Sequence, residues 1–95
     1  MAKQMRKLND WKKCIPAPTG DYSKDCDAGL KCAAEVISLV RRENAPWLIG
    51  WVVGEMNKRG LSAGIGGHGI LAGFCSALGR RLIDGILVVD VREVA

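Results

Sequence analysis

Apolar residues recur at helical spacing over residues 25–43. Their i, i+3/i+4, i+7 pattern is typical of a helix with one buried face. Ser23 and Asp25 are both residue types that cap helix N-termini, so we predict a first helix from about Asp25 to Glu43. The predicted buried face consists of Cys26, Leu30, Ala33, Ile37 and Val40.

A second helix is predicted over residues 46–59. Asn44 can cap it, and Pro46 falls in its first turn, where a missing N–H is tolerated. Gly60 is a natural stop, because glycine readily adopts the left-handed conformation that ends many helices. The predicted core side carries Ile49, Val52, Val53 and Met56, with Leu48 at its edge.

The opposite side of the second helix combines aromatic and charged residues. At 100° per residue, this stripe contains Trp47, Trp51, Glu55 and Lys58. The charged groups must reach water, so at least one of the tryptophans is expected to be exposed. Gly50 and Gly54 lie beside the stripe, where their small size would let another helix approach closely.

The stretch from Gly60 to Gly79 has no charged residue and holds seven of the twelve glycines. Each helical glycine costs about 1 kcal/mol relative to alanine, so the glycine-rich part, residues 61–67, is predicted as a loop. A third helix is expected from about His68. Its apolar face is predicted to contain Ile70, Leu71, Phe74, Leu78 and Leu82.

The segment from Ile86 to Val94 is rich in β-branched residues and is predicted as a strand. A strand needs a partner for its backbone groups, which could be the Cys14–Ile15 region or another molecule. The predicted fold is therefore mostly α, a bundle of three main helices with a small β element that pairs with residues 14–15 or forms within a dimer.

Charge is distributed unevenly along the 95 residues. The net charge of +4 lies in residues 1–13, whose basic side chains outnumber Asp10, while residues 14–95 are neutral overall. We expect a basic arm, residues 1–13, followed by one small helical domain, residues 14–95. All three helices end in dibasic pairs, which complement the negative helix ends. These pairs are Arg41-Arg42, Lys58-Arg59 and Arg80-Arg81.

Metal binding and catalysis are not indicated. The four cysteines, Cys14, Cys26, Cys32 and Cys75, lack the close Cys-x₂₋₄-Cys pairs of structural zinc sites. His68 and Cys75 lie two helical turns apart, about 10 Å, too far for direct proton transfer. We therefore expect no enzymatic activity, no cofactor, no metal and no small-molecule substrate. The charged N-terminus lacks a signal peptide pattern, which favours a cytoplasmic location with reduced cysteines.

The leading functional hypothesis is a binding or regulatory protein that docks on another protein or on a second copy of itself. It would use the exposed tryptophans or the final strand, since exposed Trp is a common interface anchor. The candidate residues are Trp47, Trp51, Glu55, Lys58, Val88 and Arg92. The simpler alternative is that the N-terminal segment covers both tryptophans and the strand pairs with residues 14–15.

Two other functional classes stay open. Residues 58–62 resemble the turn of a helix-turn-helix motif, which would make the protein a DNA-binding transcriptional regulator, although the following helix would offer no base-reading side chain. Its nucleic-acid contacts would be Lys3, Arg6, Lys7, Lys12, Lys13, Arg59 and Ser62. A small membrane protein is less favoured. The uncharged stretch is long enough to span a bilayer and carries GxxxG pairs, but its glycines leave it weakly apolar.

Overall fold

The computed structural model describes residues 7–61 and 68–86, most of which are helical. A 3-10 helix, Leu8–Cys14, leads into three α-helices and a short π-helical segment, Leu82–Ile86. The α-helices are α1 (Tyr22–Glu43), α2 (Leu48–Lys58) and α3 (His68–Arg81). The prediction of a mostly helical fold with three main helices is confirmed.

Helix α1 begins three residues earlier than predicted and is capped by Asp21, whose carboxylate accepts a hydrogen bond from the Lys24 N–H at 3.2 Å. The predicted caps Ser23 and Asp25 lie inside the helix instead. Asn44 does not cap α2 but ends α1, because its left-handed conformation (φ 52°) lets the Ala45 N–H reach the Val40 carbonyl at 3.0 Å.

Helix α2 ends as the sequence predicts. Gly60 adopts φ 78°, and the chain reverses so that the Leu61 N–H donates to the Met56 carbonyl at 2.8 Å. This pair of features is the Schellman motif, which satisfies carbonyl groups at the end of a helix. Leu61 is then buried in the core, so the turn also fixes the path of the chain towards α3.

The buried face of α1 lies one residue earlier than predicted. The buried residues are Asp25, Gly29, Cys32, Ala33, Val36 and Leu39. Leu30, predicted to be buried, is 42% exposed, whereas Leu39 is 1% exposed. On α2, Leu48 is fully buried rather than at the edge, together with Val52 and Met56. On α3, Ile70 and Phe74 are buried as predicted, but Leu82 is half exposed.

Close contact with α3 explains why α1 turns this face inward. A β-carbon placed on Gly29 would lie 2.8 Å from the Phe74 backbone nitrogen, and one on Gly73 would lie 2.8 Å from the Cys26 carbonyl carbon. The two helices therefore meet backbone to backbone, which only glycine allows. Successive contacts run in the same direction along both helices, from Asp25 beside Gly69 to Arg41 near Arg81, so α1 and α3 are parallel.

Asp25 is the one charged residue in the described core, at 1% exposure. Its Oδ1 accepts hydrogen bonds from the Thr19 N–H at 2.9 Å and the Thr19 hydroxyl at 2.8 Å. The backbone bond from Thr19 is the main reason that the pKa of Asp25 is lowered from its usual value, against the effect of burial. Asp25 thus ties the loop before α1 to the point where α1 meets the first turn of α3.

We predict that Asp25→Asn destabilises the fold most at neutral pH. Folding lowers the pKa of Asp25 below its unfolded value of about 3.9, because the folded state favours the ionised carboxylate. The carboxylate therefore stabilises the folded protein fully above about pH 4, and this stabilisation is lost as the pH falls through the folded-state pKa. Urea unfolding of both proteins across pH 7 to 2.5 should show their stabilities converging in acid. Asp27→Asn removes an exposed carboxylate of the same helix and is the control. A pH-independent difference would contradict the prediction.

The predicted β element receives no support from the described residues, none of which forms a strand. Cys14 closes the 3-10 helix instead of starting an edge strand, because the Ile15 N–H bonds back to the Lys12 carbonyl at 3.2 Å. Ile86 belongs to the π-helical segment. The rest of the predicted strand, residues 87–94, lies outside the described residues.

Candidate protein-binding surface

Three tryptophans form one cluster on the surface. The Trp47 and Trp51 ring centroids are 4.4 Å apart, and those of Trp11 and Trp51 are 5.9 Å apart, both pairs in tilted arrangements. Trp47 is 45% exposed and Trp51 is 55% exposed, while Trp11 is partly buried against the core. The predicted exposure of the stripe is therefore observed. The described part of the N-terminal segment, residues 7–14, contacts the stripe through Trp11 and leaves Trp47 and Trp51 about half exposed.

The charged residues beside the cluster form a small ion network. Glu55 accepts a hydrogen bond from the Arg59 Nε at 2.9 Å and lies 4.0 Å from the Lys12 Nζ. The bond from Arg59 is the main reason that the pKa of Glu55 is lowered, and the charges of Lys12 and Lys58 act in the same direction. Lys12 also lies 5.8 Å from the Trp11 ring centre, within cation–π range. The network joins α2 to the 3-10 helix beside the Trp11–Trp51 contact.

A groove of about 580 Å³ runs beside the tryptophans. All three indole rings contribute to its walls. The remaining lining residues are Lys7, Leu8, Asn9 and Glu43. The groove combines a large aromatic surface with a few polar groups at its margins, which is the composition of many binding sites for protein segments.

The surroundings of the cluster carry an excess of positive charge. Along residues 7–14 and 43–59, the basic side chains are Lys7, Lys12, Lys13, Lys58 and Arg59, and the carboxylates are Asp10, Glu43 and Glu55. Each of these three carboxylates is already within 4.0 Å of a basic group. In the described part of the chain, Lys7 and Lys58 make no ion pair. Lys7 lines the groove and Lys58 lies near Glu55 on the same side of α2, so both can attract an acidic partner.

Gly50 and Gly54 leave an open strip beside Trp51. Both are exposed, and a β-carbon on either would meet nothing within 4 Å. The predicted close approach of another helix is therefore not made by any described residue of this chain. None of the described residues keeps a second molecule from this strip, and the backbone of such a molecule could come as near to α2 as α3 comes to α1.

The structure brings four of the predicted residues together, Trp47, Trp51, Glu55 and Lys58, on one side of α2. Val88 and Arg92, and the nucleic-acid candidates Lys3, Arg6 and Ser62, lie outside the described residues. The other nucleic-acid candidates, Lys7, Lys12, Lys13 and Arg59, lie around the tryptophan cluster. Helix α3, the predicted recognition helix, has its main contacts with α1 rather than α2.

The place of Trp11 in this cluster could not be predicted from the sequence. Forty positions separate it from Trp51, so no local pattern places the two rings together. Trp11 packs against the core, three residues before the buried Cys14.

All four cysteines are in the thiol form, and Cys14 and Cys32 are buried. Burial, together with the nearby Cys14 and Glu35, raises the pKa of Cys32 to about 12, so this residue is a neutral thiol at physiological pH. Among the residues described, no group of three or more His, Cys, Asp or Glu side chains could hold a metal ion. The functional interest of the described surface therefore rests on its aromatic and cationic groups.

Within ranges 7–61 and 68–86, no helix combines the length and apolar character needed to cross a bilayer. Comparisons with models of known protein families, with curated protein sequences and with solved structures found no match to this chain. A functional hypothesis must therefore be built from the geometry of the surface itself.

Proposed function

We propose that the protein is a binding module that docks an acidic amphipathic helix of another protein on its tryptophan cluster, Trp11, Trp47 and Trp51. The observation that carries the proposal is the cluster itself: three indoles packed in tilted pairs beside a groove, two of them about half exposed. Burying exposed tryptophans against a partner is a strong source of affinity, because Trp is among the most frequent energetic anchors of interfaces.

Three features define the chemistry of the partner. The aromatic groove would take its apolar side chains. Lys7 and Lys58, which pair with none of the described carboxylates, favour carboxylates flanking those side chains. The open strip along Gly50 and Gly54 allows a helical backbone to come close, as in the helix-in-groove mode of recognition. An acidic helix with apolar residues along one face meets all three conditions.

A pair of synthetic helical peptides tests this proposal. The first repeats leucine and phenylalanine on one face with glutamate elsewhere, and the second carries lysine in place of each glutamate. We expect the acidic peptide to bind, to shift tryptophan emission to the blue and to protect the tryptophans from acrylamide quenching. The basic peptide should bind at least about tenfold more weakly at low salt, because like charges would be brought together.

Trp51→Ala should weaken binding of the acidic peptide about 30-fold or more, since a central anchor contributes about 2 kcal/mol. The matched control is Leu30→Ala, which also removes an exposed apolar side chain but lies away from the groove, and which should change affinity less than about twofold. Equal binding of both peptides would overturn the proposal. So would light scattering that shows a dimer dissolved by Trp51→Ala, because the surface would then belong to a second copy.

A further inference from the structure

The parallel packing of α1 and α3 brings two of the three dibasic helix ends to the same end of the molecule. Arg41 and Arg42 from the last turn of α1 and Arg81 from the last turn of α3 line one open cleft of about 460 Å³. Ser38 contributes a hydroxyl to its wall, and Ala34 and Ile37 give it an apolar floor. This cleft shares no lining residue with the groove beside the tryptophans, although Arg42 pairs with Glu43, which lines that groove.

The positive charge of the cleft exceeds what the described carboxylates around it balance. Arg42 is paired with Glu43 at 3.2 Å, and the neighbouring Arg80 points to Asp84 at 3.4 Å. In the described residues, neither Arg41 nor Arg81 has a carboxylate within 4.0 Å. The two helix ends add only about one unit of negative partial charge between them. Dipole complementation therefore accounts for part of this arginine cluster, and about one unit of positive charge is left over.

We propose that this cleft binds the phosphate group of a small phosphorylated ligand. Guanidinium groups present paired N–H donors that match phosphate oxygens bidentately, and Ser38 can add a neutral hydrogen bond. The apolar floor would receive the non-phosphate part of the ligand. The shared chemistry is a phosphate ester, whose source is either a soluble compound or the headgroup of an anionic lipid.

Inorganic pyrophosphate is the first probe, titrated into the full chain at low salt by calorimetry. We expect saturable binding that Arg81→Gln weakens about tenfold or more, as expected for the loss of a charge-assisted bidentate contact. Arg80→Gln is the matched control, because it removes the same charge from the adjacent residue, which pairs with Asp84 and does not line the cleft. This control should change affinity less than about threefold.

Vesicles of phosphatidylcholine with and without phosphatidic acid distinguish the source of the phosphate. Binding of pyrophosphate alone supports a free phosphate ester as the ligand. Binding only to the vesicles with phosphatidic acid supports a lipid headgroup. In either case, Arg81→Gln must weaken the binding. If Arg80→Gln and Arg81→Gln reduced the affinity for pyrophosphate or for duplex DNA equally, the proposal would be overturned. Equal losses would indicate nonspecific attraction to the positive charge of the surface and not a defined site. The absence of saturable binding to any of these probes would also overturn it.

Discussion

Gly73→Ala is expected to remove about 3 kcal/mol or more of folding free energy. A β-carbon at this position would collide with the backbone carbonyl of Cys26, which belongs to α1 and cannot rotate away as a side chain would. The helices must separate, and overpacking of this kind typically costs 1–3 kcal/mol and occasionally more. A domain of this size has about 5–14 kcal/mol in total, so the loss is a large share.

The control for this prediction lies six residues further along the same helix. A β-carbon on Gly79 meets nothing within 4 Å, so Gly79→Ala gains helix propensity without a clash. It should stabilise the protein by a few tenths up to about 1 kcal/mol. Urea denaturation followed by circular dichroism measures both changes. If Gly73→Ala were as stable as the wild type, the backbone contact between α1 and α3 would be wrong.

Leu39→Ala should cost about 2–5 kcal/mol, because Leu39 is 1% exposed and its truncation leaves a cavity in the core. The prediction has an internal control on the same helix. Leu30 is 42% exposed, and Leu30→Ala should change the free energy of unfolding by no more than about 0.5 kcal/mol. This pair compares the same chemical change at two positions of α1.

The Leu39 and Leu30 pair also decides between two orientations of α1. A buried face predicted from hydrophobic spacing alone would make Leu30 the costly position. The face seen in the structure makes Leu39 costly. Chemical denaturation should give the same m-value for both variants, because neither substitution is expected to alter the surface that is exposed on unfolding. A larger loss for Leu30→Ala than for Leu39→Ala would support the spacing-based face and contradict the structure.

Features that depend on local chemistry could be predicted in part from the sequence. Gly60 ends α2 as predicted, because few other residues accept its positive φ. The exposed tryptophan stripe of α2 was also predictable, since Glu55 and Lys58 share that side and must reach water. Each of these inferences needs only neighbours in sequence.

Features that depend on contacts between helices could not be predicted. Hydrophobic spacing selected Leu30 because leucine is larger than Gly29, yet α3 needs the small residue at the point of contact. Asp25 looked like a cap, and its burial depends on Thr19 folding back to it. Nothing in the local sequence pattern indicates that α1 and α3 run in the same direction. The sequence therefore could not predict that Arg41 and Arg81 line the same cleft.

The shared direction of α1 and α3 has a consequence for how the chain folds. Two neighbouring antiparallel helices can dock as a hairpin soon after each forms, but Gly29 and Gly73 lie 44 positions apart with α2 between them. The entropy of closing this long loop must be lost before their contact contributes anything. We expect the domain to fold more slowly than an up-and-down three-helix bundle of equal length, because its decisive contacts are distant in sequence.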